Sequence, residues 1–251
     1  MAMRALVIDI YSGEEMESSK TGTVEDFKKV FDSGIRGIIH KATQGVSYVD
    51  KECRKRRDIA KAAGLLWGYY HFGTSASVES QVTNFLKVVG DDSDALIALD
   101  FEKNEPNPRD TMSFAQAKEF LRLVYERTGQ RPVLYSGHWL KEKQPAGGDT
   151  FVSQHRLWLA QYSERATLPA GFAKFWLHQF TGDGVGPPPH DVPGVKTKGI
   201  DMNEFGGSNL QAEWAPRSEA LVSAALGAAA GAIGPIMAAD PPSDEPRMTI
   251  T

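Results

Sequence analysis

The chain has 251 residues, 41% hydrophobic and 24% charged, which is ordinary globular composition with room for one large barrel or two small domains. A net charge of -4 and the lack of a basic stripe speak against a nucleic-acid partner. A single cysteine, Cys53, excludes an internal disulfide.

Taken in chain order, the first residues, "MAMRALVIDI", run straight into a strand pattern (4–10) without the layout of a standard signal peptide. "TVEDFKKVFDSG" has a Thr start and a Gly stop and predicts a helix over 23–33. "GIIHKA" (37–42) predicts a strand. "KECRKRRD" (51–58) reads as the solvated start of a helix over 51–63, and Cys53 there is a poor candidate for a catalytic thiol. "LLWGYYHF" (65–72) and "ALIALDF" (95–101) predict strands on either side of a helix over 76–90. Ser113 and Gly129 bracket a helix over 113–128. Further strands follow at "RPVLYS" (131–136), "RLWLAQY" (156–162), "KFWLHQF" (174–180) and "GIDMN" (199–203). The Gly- and Pro-rich stretch 181–199 is loop. No helix follows it, so it is discounted as a phosphate-binding loop.

Continuous apolar runs suit strands covered on both faces. Eight of them with intervening helices predict an α/β fold, a TIM-like β/α-barrel with its later helices reduced. After Trp214 the composition changes. Residues 220–239 hold nine Ala, three Gly and no charge, and the final residues read as a disordered tail. The expected division is a barrel over 1–214 and an Ala/Gly-rich segment over 215–251. Gly227 and Gly231 allow a weak membrane or helix partner for 220–239, against the plainer reading of a marginal helix or linker.

In such barrels functional side chains collect at the C-terminal ends of strands. Asp9, Lys41, Tyr70, Asp100 with Glu102, Tyr135, Gln161 with Tyr162, and Gln179 end successive runs, and Asp201 lies in the eighth. Asp100 and Glu102 are two apart, so they share one face about 6–7 Å apart at the backbone. Neighbouring negative charges raise at least one carboxyl pKa. A protonated acid beside a carboxylate suits glycosidic bond cleavage, whereas a salt-bridged structural pair is the plainer alternative. His71 follows two aromatics and reads as structural. The six histidines show no metal spacing, so neither metal nor cofactor is expected. Trp158 is the best candidate for stacking on a sugar.

The ordered set "VIDI", "HKATQGVSYVDKECRKRRDIAKAAGLLWGYYHF", "ALDFE", "RPVLYSG", "LWLAQY", "LHQFTG" and "IDMNEF" resembles the glycoside hydrolase family 25 lysozymes, the N-acetylmuramidases of bacteria and phages. The resemblance spans about residues 4 to 206. It implies a β/α-barrel that cleaves the β-1,4 bond between N-acetylmuramic acid and N-acetylglucosamine in peptidoglycan. It implies Glu102 as general acid/base, Asp100 as its partner, Asp9 and Asp201 as the other active-site acids, and Tyr70 beside the sugar. Lys41, Tyr135, Trp158 and Gln179 are the further expected substrate contacts. Either an enzyme carboxylate or the substrate's 2-acetamido group attacks in such enzymes. The chain departs from the family pattern after Asp9, where "IYSGEEMESSK" replaces Val-Ser and Trp-Gln, and at Gln44 and His178. A glycosidase of chitin-like chains is disfavoured by Ala95 and Ala98, which interrupt the acidic ladder of such enzymes. A non-catalytic sugar-binding barrel is expected to lose Glu102. A monomer is expected. Its setting is expected to be a phage endolysin held in the host cytoplasm before release to the wall, or a bacterial enzyme exported without a standard signal peptide.

Overall fold

A computed structural model describes residues 5–216. Its strands are β1 (Leu6–Ile10), β2 (Ile35–Gln44), β3 (Tyr48–Val49), β4 (Leu66–Phe72), β5 (Leu96–Asp100), β6 (Val133–Ser136), β7 (Leu157–Ala160), β8 (Leu177–Thr181) and β9 (Asp201–Phe205). The helices are α1 (Val24–Asp32), α2 (Cys53–Ala62), α3 (Val78–Val89), α4 (Phe114–Thr128), α5 (His138–Lys143) and α6 (Leu210–Glu213). The sheet runs β1-β9-β8-β7-β6-β5-β4-β2-β3, and pairing of β1 with β2 closes it into a barrel of eight strands, with β3 a short hairpin extension. The β/α-barrel is therefore present, and no helix lies between β7 and β9 among the described residues. The 220–239 segment lies outside the described residues.

Local signals place the helices. Thr23 and Asp26 form a reciprocal capping box at the start of α1, and Ser113 with Gln116 does the same for α4. Gly129 ends α4 at φ 70°, a left-handed position that favours glycine.

Period two then sorts each strand between two cores. On β5, Ile97 and Leu99 join the layer between sheet and helices, while Leu96 and Ala98 pack inside the barrel. The inner face continues upward as Asp100 and then Glu102, so two acids finish a buried strand because they are the top of its inward row.

One strand departs from the all-parallel expectation. β9 is antiparallel to both β8 and β1. Its first residue, Asp201, therefore reaches the same rim as the last residues of the parallel strands.

At the opposite end α6 closes the barrel. The Trp214 indole is 1% exposed and donates to the Trp67 carbonyl at 2.6 Å. A Cβ on Gly37 would come within 2.7 Å of that ring, so the close approach requires glycine.

The run 51–58 is solvated at Lys51, Arg54, Lys55 and Asp58, as expected, but not throughout. Arg56 is fully buried, and Cys53 is buried with its thiol pushed up by burial.

Candidate active site

Four carboxyls meet at the rim where the parallel strands end. Asp9 on β1 and Asp201 on β9 are direct cross-strand partners, a relation that brings Cβ atoms within about 4.5–5.5 Å. Asp100 lies in register with Tyr135 on β6, and Lys41 on β2 with Tyr70 on β4. Asp9, Tyr70, Asp100, Glu102, Tyr135, Trp158 and Asp201 enclose a cavity of about 90 Å³.

Burial sets the charge state of this cavity. The Asp100 carboxyl is held well above the usual range, first by burial and then by Glu102, with Lys41 opposing. Its Oδ1 has no hydrogen-bond partner. Glu102 is pushed up to about 7 by burial and then by Asp9. Burial and the neighbouring Asp9 raise Asp201 to about 9. Asp9 is raised only to about 6, because hydrogen bonds from Asn203 and Gln179 oppose its burial. Gln179 Nε2 donates to Asp9 Oδ1 and Oδ2 at 3.0 and 3.1 Å, and Asn203 Nδ2 donates to Oδ1 at 2.8 Å. At neutral pH, then, Asp9 carries the charge, Asp201 holds a proton, Glu102 stands near its midpoint, and burial drives Asp100 toward its neutral form. An ionised acid, an acid able to give and take a proton, and a neutral acid able to donate a hydrogen bond are the equipment of general acid–base chemistry.

A profile of the family described as Glycosyl hydrolases family 25 matches residues 8–187. The chain belongs to glycoside hydrolase family 25. Uncharacterized protein YegX of Escherichia coli is 30% identical over 187 residues, which is 72% of this chain and 63% of that protein. The autolytic lysozyme of Clostridium acetobutylicum is 28% identical over 200 residues, 79% of this chain and 55% of its own length. The chain thus spans less than two thirds of these relatives. The fold matches that of a bacterial lysozyme from Streptomyces coelicolor with a TM-score of 0.70 at 23% identity, over 85% of this chain and 98% of that one.

In this family 25 barrel the acids expected from strand ends share one cavity, and Tyr70 and Tyr135 wall it. Other expected contacts stand elsewhere. Lys41 sits beside the cavity, donating from Nζ to Gln44 Oε1 at 2.7 Å and lying over the Phe72 and Tyr48 rings. It acts on Asp100 and Glu102 through charge. Gln179 is fully buried with both ends of its amide engaged, Nε2 to Asp9 and Oε1 accepting from the Tyr135 hydroxyl at 2.8 Å. It positions Asp9 rather than meeting a sugar.

The stacking role expected of Trp158 does not survive either. Its ring is 1% exposed, edge-packed by Tyr70 and Tyr135, and its indole N–H donates to Asn203 Oδ1 at 2.5 Å. Trp158 is the cavity floor. His71 is structural, bonded to Thr43 at 2.7 Å and Gln81 at 3.1 Å.

Two residues were missed by strand-end reasoning. Asn203 follows Asp201 by two and so shares its inward face, a signal that period two offers. Glu14 lies in the loop after β1, where no periodicity points to it.

Proposed function

We propose that this family 25 chain is a lysozyme, an N-acetylmuramidase that hydrolyses the β-1,4 bond between N-acetylmuramic acid and N-acetylglucosamine in the cell wall. The observation that carries the reading is Glu102, half-buried at an acid-lined cavity and held protonated up to about pH 7. Family membership and the similarity to an autolytic lysozyme support the same substrate.

Glu102 donates its proton to the glycosidic oxygen as the bond to C1 breaks. Positive charge builds on the sugar ring and is stabilised by ionised Asp9. Asp100 is recessed, 6% exposed and driven toward its neutral form by burial, which makes it a poor nucleophile. We therefore assign the attack on C1 to the carbonyl oxygen of the substrate's 2-acetamido group, which Asp100 orients, as in substrate-assisted glycosidases. Glu102 carboxylate then takes a proton from the water that opens the cyclic intermediate.

Release of reducing ends from purified peptidoglycan, with mass analysis of the new end, tests the reading. Reducing-end N-acetylmuramic acid is expected. Reducing-end N-acetylglucosamine would overturn the bond assignment. Glu102→Gln should lower turnover on the order of 10²–10⁴-fold without lowering Tm. Undiminished turnover would remove Glu102 from its role.

A further inference from the structure

A second cleft of about 370 Å³ shares Asp9, Tyr70 and Asp201 with the catalytic cavity. One of its walls is the turn that leaves β1, where Tyr11 and Glu14 line it. Tyr11 is 44% exposed, where Trp158 is 1% exposed, and its ring lies beside Gly13. The Tyr11 amide donates to Glu14 Oε2 at 2.6 Å, and the Glu14 amide returns to the Tyr11 carbonyl at 3.3 Å, so the two residues move as one unit.

The turn is held from beneath by a buried cation. Arg56 on α2 donates to the carbonyls of Tyr11 at 2.8 Å, Glu14 at 2.5 Å and Lys20 at 2.6 Å. A buried guanidinium is costly unless its donors are met. Here the two terminal nitrogens are met by backbone carbonyls of this one loop and by His40 Nε2 at 3.2 Å, while Nε has no partner, and only a planar fork can gather these acceptors at once. Two outer ties complete the frame. Asp50 Oδ2 accepts from the Ser12 amide at 2.9 Å, and Thr197 Oγ1 from the Glu15 amide at 2.8 Å.

The geometry points to a second sugar subsite in this cleft, where Tyr11 stacks on the glycan unit next to the one cleaved, Glu14 accepts a hydrogen bond from its hydroxyl or amide N–H, and Arg56 is the positioning residue that holds both. This rests on the glycan-hydrolysing reading above and extends it. A sugar ring has an apolar C–H face and a polar edge, and an aromatic beside a carboxyl matches both. In an alternating polymer both neighbours of N-acetylmuramic acid are N-acetylglucosamine, which is therefore the unit the cleft takes. Burial raises Glu14 to about 7, so near neutral pH its carboxyl can accept a hydrogen bond from the sugar's polar edge or donate one to it.

The test is binding of a peptide-free tetrasaccharide of alternating N-acetylglucosamine and N-acetylmuramic acid to the full chain carrying Glu102→Gln. Adding Glu14→Ala or Tyr11→Ala should weaken Kd about tenfold. In the chain with Glu102 intact, the same two changes should raise KM by a similar factor and leave kcat within about twofold, the mark of binding made equally in ground and transition states. Arg56→Lys keeps the charge but loses the fork, and should raise KM in the same way. Thr197→Val loosens the loop from its outer side without touching buried charge, so it provides that arm if Arg56→Lys does not fold. Unchanged Kd and KM in both Glu14→Ala and Tyr11→Ala would overturn the subsite while leaving the hydrolase reading in place. Glu14-dependent binding without release of reducing ends would support the subsite and sink the hydrolase reading.

Discussion

Asp9 and Glu102 are both buried carboxyls, yet they differ in what surrounds them. Asp9 receives two amide donors, and Glu102 receives charge repulsion from Asp9. The pair therefore predicts a bell-shaped pH dependence. Activity should fall on the acid side as Asp9 gains a proton near pH 6, and on the alkaline side as Glu102 loses one near pH 7. Asn203→Ala removes a donor that holds Asp9 ionised. Its acid limb should move to higher pH, by on the order of one unit. The kcat/KM profile checks this, and an unmoved acid limb would separate Asp9 from catalysis. Asp9, Asp100 and Glu102 were legible because they terminate apolar runs, and Asp201 because it lies within the eighth strand pattern. Trp158 and Gln179 were placed correctly on their strands, but sequence position alone cannot tell a residue at the cavity's floor from one at its lip.

At the scale of elements, caps and periodicity located α1 to α4 and all eight barrel strands. Strand direction was not legible, because alternation reads the same both ways. Asp201 made sense at a strand start only once β9 was seen to run antiparallel. Arg56 was hidden for a related reason. A run of charges normally marks a solvated face, and nothing local shows that one member turns inward to a distant loop. The short α6 is another element whose weight exceeds its length. It carries the chain to Trp214, which fills the barrel's lower end, and Arg156 stacks on Trp176 at 4.4 Å while donating to the Trp214 carbonyl at 3.2 Å. Trp214→Ala should cost about 3–5 kcal/mol of stability through cavity formation, and it also removes the indole donor from the Trp67 carbonyl. Denaturant titration measures this. A loss below about 1 kcal/mol would show that α6 does not close the core.

For the whole molecule, the buried acids and buried histidines make opposing demands on pH. Asp9, Glu14, Glu102 and Asp201 are raised to about 6, 7, 7 and 9, and Asp100 is raised as well, so the folded chain keeps protons that the unfolded chain releases above about pH 4. His40, His71 and His155 are lowered to about 4 by burial, so below about pH 6.5 the unfolded chain takes up protons that the folded chain refuses. Stability rises with pH wherever the unfolded state binds more protons, and falls where it binds fewer. Between about pH 4.5 and 6.5 the three histidines offset only part of the contribution of the five acids. Above pH 6.5 the histidine contribution is constant, while Asp201, Glu14 and Glu102 still hold protons only when folded. Each such group removes up to about 1.4 kcal/mol per pH unit until its folded pKa is passed. Tm should therefore fall steadily from pH 6.5 to about 9. Asp201→Asn keeps a neutral, hydrogen-bonding side chain at every pH, so it should flatten that fall and melt above the unsubstituted protein at pH 8.5, whatever it does to catalysis. Calorimetric scans of both proteins from pH 5 to 9 decide the matter. A Tm that rises across pH 6.5 to 9, or an Asp201→Asn curve parallel to the original, would mean that the rim acids give up their protons on folding and that the cavity is charged, not neutral, when a substrate arrives.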